Sequence, residues 1–307
     1  MAINGVLRPG IIQVRVLDMP AAVEHYTKRV GLHQVTEGPD GRVYLKAADE
    51  FDHHSIVLRR ADKAGLDFIA FKVRNDADLD AFEKRIVAAG VAVDHVPAGE
   101  QPGVGRRIGF NLPTGHRMEL YAKADLSQPG PDQRNPDVWS IEPHGMRAQC
   151  FDHALFYGPG VPKAIEFLEN VLDFICTEKV VTPEGDAVAA FLSCGMKAHD
   201  IALVEYPEEG KLHHISFRLD NWVDVGHAAD VITHFNLPID IGPTRHGITR
   251  GQTIYFFDPS GNRNEVFSGG FTYYPDHPVR IWDTEQLGKA IFYYQRELND
   301  RFMTVVT

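Results

Sequence analysis

His153, His214 and Glu265 are side chains of the kinds that hold a divalent cation, and each stands in a segment that reads as a β-strand. The middle one lies in KLHHISFRLD, Lys211–Asp220, where two histidines are adjacent. Neighbouring side chains of a strand point to opposite faces. Alternation therefore puts His213 at the start of an apolar face with Ile215, Phe217 and Leu219, under a helix, and sends His214, Ser216 and Arg218 to the other, concave face. Two imidazoles and one carboxylate on a facial edge bind Fe(II) and leave positions open for substrate and dioxygen. A closed structural zinc site takes four ligands, usually with cysteine among them.

An internal repeat acts as a control on this reading. GIIQVRVLDMPAAVEHYTKRVGLHQV from Gly10 aligns with CFDHALFYGPGVPKAIEFLENVLDFICTEKV from Cys150, LDFIAFKV from Leu66 with LHHISFRL from Leu212, and NLPTGHRMELY from Asn111 with FDPSGNRNEVF from Phe257. The offsets are 140, 146 and 146, in the same order along the chain. Where the second half carries His153, His214 and Glu265, the first carries Gln13, Phe68 and Glu119. One copy reads as a metal site and the other as its disused duplicate.

The elements that must position these residues follow from the same repeat. After LDFIAFKV, the segment NDADLDAFEKRIVAAGV puts Leu79, Phe82 and Ile86 on one helical face, with Asn75 or Asp76 as cap and Gly90 past the end. DNWVDVGHAADVITHF predicts a matching helix with Trp222, Val225, Ala229 and Ile232 on its stripe. Each half thus holds two units of strand, helix and about three strands. The expected fold class is α+β: two domains, each of two βαβββ modules, over residues 1–145 and 146–270. A tail over 271–307 with one helix, Thr284–Leu298, has no counterpart in the first half, and a role in closing the second domain or joining subunits is open to it.

Composition excludes several function classes. The 307 residues are 44% hydrophobic and 24% charged, an ordinary globular balance. A net charge of −11 with no basic run argues against a nucleic-acid partner. No long apolar stretch and no charged n-region precede the first strand, so the reading is a cytoplasmic protein with no membrane partner. Three cysteines, Cys150, Cys176 and Cys194, show no CxxC spacing and read as small buried hydrophobes. Fifteen histidines exceed what packing needs.

The segment HGITRGQTIYFFDPSGNRNEVF, His246–Phe267, together with FDHALFYG, KAHDIALVEYPEEGKLHHISF, IDIGPTRHG and the tail QLGKAIFYYQRELNDRFMTV, resembles the catechol 2,3-dioxygenase (metapyrocatechase) family of type I extradiol ring-cleavage dioxygenases. The likeness covers nearly the whole chain. It implies the vicinal oxygen chelate (glyoxalase/bleomycin resistance-like) fold, with only the C-terminal domain metallated. It implies His153, His214 and Glu265 as Fe(II) ligands, and His199, His246 and Tyr255 as catalytic residues. His199 would be the acid–base group near the dioxygen position, and His246 and Tyr255 would hydrogen-bond the substrate oxygens. The activity implied is meta cleavage of catechol by O2 to 2-hydroxymuconate semialdehyde, in a homo-oligomer that is a homotetramer by resemblance. Mn(II) suits the same ligands, and the choice among catechol, alkylcatechols and chlorocatechols is left open.

Blander readings stand beside these. His199, just before the apolar run DIALV, suits a solvated strand end, and Tyr255 suits a packed aromatic with a bonded hydroxyl. DPSG reads as a turn that aims the strand bearing Glu265. His25, His53, His54, His116 and His277 read as surface or packing residues. Two other functions compete. A metal-free small-molecule-binding protein would carry Phe and Gln at the ligand positions in both halves, which the second half contradicts. A metal-dependent isomerase or lyase resembling glyoxalase usually has an additional carboxylate or Gln ligand and lacks the His246 and Tyr255 pair.

Overall fold

The computed structural model describes residues 5–127, 134–139 and 141–307. The first half is β1 (Val6–Val16), α1 (Met19–Glu24, continued by a π-helical segment His25–Val30), β2 (His33–Glu37), β3 (Val43–Lys46) and β4 (Ile56–Arg60), then β5 (Gly65–Val73), α2 (Asp76–Ala88), β6 (Asp94–Val96), β7 (Arg107–Asn111) and β8 (Arg117–Tyr121). The second half repeats the plan with β9 (Cys150–Gly158), α3 (Val161–Leu172), β10 (Ile175–Val181), β11 (Ala187–Ser193) and β12 (Ile201–Glu205), then β13 (Lys211–Arg218), α4 (Trp222–His234), β14 (Ile239–Arg245), β15 (Gly251–Phe257) and β16 (Arg263–Gly269). The tail adds β17 (Arg280–Asp283), a 3₁₀ turn (Thr284–Gln286), α5 (Leu287–Ile291) and α6 (Asp300–Thr304). No helix among the described residues is long and apolar enough to cross a membrane.

Each half is one mixed sheet made of two modules. The first runs β2-β3-β4-β1-β5-β8-β7-β6 and the second β14-β15-β16-β13-β9-β12-β11-β10-β17. The opening strands of paired modules, β1 with β5 and β9 with β13, meet antiparallel at the centre. The twist of two modules joined there curves the sheet, with helices against one face and a concave face opposite.

Local chemistry explains the helices. Asn75 accepts from the Asp78 amide at the start of α2, Leu79, Phe82 and Ile86 are buried along one stripe, and Gly90 takes the left-handed conformation beyond the end. Asn221 caps α4 in the same way. Its stripe differs from expectation, because Val225, Ala228 and Ile232 are buried while Trp222, in the first turn, is exposed. The apolar core is continuous between the halves, with Phe71 edge-on to Phe174 at 5.2 Å between ring centroids.

The tail also departs from expectation. In place of one helix over Thr284–Leu298 there are a 3₁₀ turn and the short α5, which ends at Ile291, with β17 before them and α6 after. The helical run stops after Ile291 because Phe292 turns into a buried cluster with Tyr255 and Phe302, and the Tyr293 amide donates to the Arg245 carbonyl. Tertiary burial outweighs local propensity there.

Candidate metal centre

Strand register assembles the site. Ser216 on β13 is paired with His153 on β9 and with Glu265 on β16, and Glu265 is paired with Tyr255 on β15. These four strands run side by side, so one row carries His153, Ser216, Glu265 and Tyr255, while His214 lies two residues from Ser216 on the same face. Ser216 is small and leaves open the space across which His153 and Glu265 meet.

His153 Nε2 lies 2.9 Å from Glu265 Oε2, and His214 Nε2 lies 3.4 Å from both. At metal–nitrogen bonds of about 2.1 Å, adjacent ligand atoms on an octahedral face would be about 3 Å apart. The observed spacing fits three ligands on one face. The outer atoms are occupied elsewhere: His153 Nδ1 donates to Asp152 Oδ2 at 2.7 Å, and the Thr253 hydroxyl donates to Glu265 Oε1 at 2.6 Å. Glu265 Oε2 is buried and receives no hydrogen bond. A buried carboxylate oxygen facing two imidazole lone pairs is costly unless a cation stands between them. Among the described residues no other group of three side chains could hold a metal ion in this way.

The field at the centre also favours positive charge. Burial would pull His153 down, yet Glu265 and Asp152 lift its pKa above the ordinary value. Burial would raise Asp152 and Glu265, but Lys197 beside the first and the two imidazoles beside the second hold both well below the usual carboxylate range. Lys197 Nζ donates to the Asp152 carbonyl at 2.6 Å and carboxylate at 3.1 Å, steadying the residue that orients His153.

All six residues picked out by sequence line one cavity of about 230 Å³. His199 is buried with its ring 4.0 Å from that of His153, and its Nδ1 has no hydrogen-bond partner. Burial, with His153 adding to it, holds His199 well below the usual histidine range, so it is a neutral base. The Tyr255 hydroxyl lies 2.8 Å from His246 Nε2, and burial beside Glu265 pushes its pKa well above the ordinary value. The remaining wall is mostly apolar, including Leu155, Phe191, Ile248 and Phe302. A flat, mostly apolar molecule with two polar atoms fits such a space.

His213 corrects the strand-alternation reading. The pairing of β13 with β9 slips between Leu212 and His214, a β-bulge that leaves His213 outside the regular alternation. Instead of joining the apolar face under the helix, His213 lines the same cavity as His214, with Nδ1 2.8 Å from His214 Nδ1. Sequence reasoning also missed Asp152, Ser216 and Thr253. Their signal was register: Asp152 is next to His153 in the chain, Ser216 is paired across from His153 and Glu265, and Thr253 lies two residues from Tyr255, the partner of Glu265.

In the first half the matching place holds a guanidinium. Arg107, at the position of Thr253, donates to Glu119 at 2.6 Å and lies over the Phe68 ring at 5.6 Å. Gln13 is tied to Asp67 and Gln101. The other histidines pack: His25, His54 and His116 are buried and bonded to Asn264, Gln101 and the Lys211 carbonyl, His53 bonds His54, and His277 is in an exposed contact with the Pro278 carbonyl.

Comparison with known proteins bears on the family of the chain. Residues 66–125 match the family model "Catechol 2,3-dioxygenase-like N-terminal domain", and residues 151–266 match "Glyoxalase/Bleomycin resistance protein/Dioxygenase superfamily". Metapyrocatechase of Pseudomonas sp. (strain CF600) is 48% identical over 305 residues, 99% of each chain. Manganese-dependent 2,3-dihydroxybiphenyl 1,2-dioxygenase of Geobacillus genomosp. 3 is 28% identical over 92% of this chain and 91% of its own. The solved structure of the 2,3-dioxygenase LapB from Pseudomonas sp. KL28 is 44% identical, with a TM-score of 0.89 over 92% of this chain and 99% of that one. Homoprotocatechuate 2,3-dioxygenase of Arthrobacter globiformis, at 22% identity and a TM-score of 0.87, shares the fold. Identity near one half over 99% of both chains spans both sheets and every wall of the cavity, and on that ground the chain belongs to the catechol 2,3-dioxygenase family.

Proposed function

We propose that this protein cleaves catechol beside its diol, using O2 and one Fe(II) ion, to give 2-hydroxymuconate semialdehyde. The observation that carries the reading is the convergence of two imidazole nitrogens and an otherwise unbonded carboxylate oxygen in one apolar cavity with Tyr255, His246 and His199. His153, His214 and Glu265 would hold the metal, which when bound supplies charge to favour the catecholate and a shared point of attachment for catechol and dioxygen. A Mn(II) relative supports manganese as a second occupant of the same ligands.

The chain's own groups divide the remaining work. Tyr255 and His246 form a hydrogen-bonded pair at the substrate oxygens, where His246 Nε2 accepts from Tyr255 and the pair orients the diol and takes up its proton. His199, neutral and unpartnered at Nδ1, holds the proton that oxygen chemistry must accept and return. Apolar walls exclude water from the opened ring. Both atoms of O2 enter the product, so one catechol and one dioxygen together account for every atom of the semialdehyde, with no other reactant.

The same reading makes residues 146–270 the catalytic domain, 1–145 a paired-module domain without metal, and 271–307 a tail that walls the site. By family it is a homotetramer of a cytoplasmic enzyme, which light scattering would test. The deciding experiment loads the purified protein anaerobically with Fe(II), admits oxygenated catechol, and follows oxygen uptake with the yellow ring-fission product. One O2 per catechol with yellow product is expected. A colourless muconate, cut between the two oxygens, would overturn the reading, as would no uptake by iron-loaded protein.

A further inference from the structure

The tail reaches the metal centre through a run of hydrogen bonds that ends on its own backbone carbonyls. The Phe302 carbonyl lies 2.7 Å from His213 Nε2. A carbonyl only accepts, so Nε2 carries the proton and the neutral ring keeps a lone pair on Nδ1. That lone pair faces His214 Nδ1 at 2.8 Å, so His214 donates there and its Nε2 is left as a lone pair aimed at the centre. Read from the other end, a metal at His214 Nε2 demands a proton on Nδ1 and an acceptor beyond it, and His213 is that acceptor. The Ile291 carbonyl acts likewise on His246: it accepts from Nδ1–H and leaves Nε2 to accept from Tyr255.

His213 is built into this place. The bulge in β13 turns it out of the alternation, Tyr157 stacks on one side with ring centroids 4.8 Å apart and planes 24° apart, and Phe302 meets it edge-on at 4.7 Å. We propose that His213 is a positioning residue of the metal centre, coupling the Phe302 carbonyl of the tail to His214 and so fixing that ligand's tautomer and ring orientation. This rests on the reading of His153, His214 and Glu265 as metal ligands. Without the acceptor, His214 Nδ1–H is buried unsatisfied, and the ring can exchange tautomer or rotate at the expense of the metal.

The test compares full-length wild type with His213→Phe, which keeps the aromatic packing and removes the acceptor, and His213→Asn, whose Oδ1 stands near the place of Nδ1. The probe is Mn(II), its free ion followed by electron paramagnetic resonance, with melting temperature measured alongside. His213→Phe should bind Mn(II) about 10–100-fold more weakly, with its metal-free melting temperature retained, and His213→Asn should recover most of the affinity. Wild-type affinity in His213→Phe overturns the proposal, and so does equal weakening of both variants in step with a fall in melting temperature. If His213→Phe does not fold, nitrogen-15 histidine spectra of the Zn(II)-loaded wild type decide: an Nε2–H tautomer at His213 supports the relay and an Nδ1–H tautomer overturns it. His214→Ala separates the two readings, since Mn(II) binding unchanged by that substitution would fail the metal assignment itself.

Discussion

At the scale of single residues, the site is a matter of which atom of each side chain is already engaged. His153 and Glu265 each spend one polar atom on a neighbour and turn the other inward, so the inward atoms have nothing to bond but a cation. His214→Ala removes one of the three proposed ligands and is expected to lose bound iron and turnover while the chain folds, checked by metal analysis and circular dichroism. Retention of stoichiometric iron with full turnover would sink the assignment. His199 differs in kind, because it touches the cavity without facing Glu265 within bonding distance. His199→Asn is expected to lower kcat by about 10²–10⁴-fold with iron content unchanged, so a loss of iron in that variant would make it a ligand instead.

At the scale of elements, register and one bulge decide what a list of residues cannot. Pairing sets His153, Ser216 and Glu265 abreast, and a slip of one residue would send a ligand to the helix face. The tail completes the wall with Leu287, Ile291 and Phe302 and is seated against the loop after β14, where the Gly247 and Ile248 amides donate to the Ala290 carbonyl. Buried Glu178 on β10 fastens the same corner, accepting from the Thr249 amide and from Arg280 and Trp282 of β17. A Cβ on Gly247 would stand 2.5 Å from the Lys289 carbonyl oxygen. Gly247→Ala should therefore push the tail away, cost about 1–3 kcal/mol and raise KM for the ring substrate, measured by thermal melts and steady-state kinetics.

At the scale of the molecule, the two halves differ in where the positive charge beside the matching glutamate would come from, a proposed ion in the second half and a side chain in the first. Arg107 supplies it permanently in the first, against Glu119, both nearly fully buried. Glu119→Ala should leave the metal content unchanged and cost about 3–5 kcal/mol, because a buried guanidinium loses a partner; iron lost from this variant would contradict the division of labour. His116 joins the halves, accepting from Thr114 and donating to the Lys211 carbonyl while it stacks on Phe156. Burial pulls it down to about 4 against that hydrogen bond. Between about 4 and its ordinary 6.5 the unfolded chain holds a proton that the folded chain does not. The contribution of His116 to stability is thus complete above pH 6.5 and falls with acidity, by about 2 kcal/mol at pH 5, from 1.36 kcal/mol per unit. His116→Gln should flatten that part of the melting curve against pH.

The sequence by itself determined the repeat, the four βαβββ units and which residues are proposed as ligands, because each rests on periodicity or on comparing one half with the other. Alternation along β13 was enough to send His214 inward, and Gln13 and Phe68 marked the half in which the ligands are missing. Only the tertiary structure decided the rest. The bulge at His213 depends on how β13 meets β9, and the short helices of the tail depend on Phe292 and Phe302 finding Tyr255. Arg107 gave no sign in the sequence that it would fill the place of an ion, because its partner Glu119 is twelve residues away and on a neighbouring strand. Local pattern records which face a side chain takes, whereas the partner it meets there is set by segments distant in the chain.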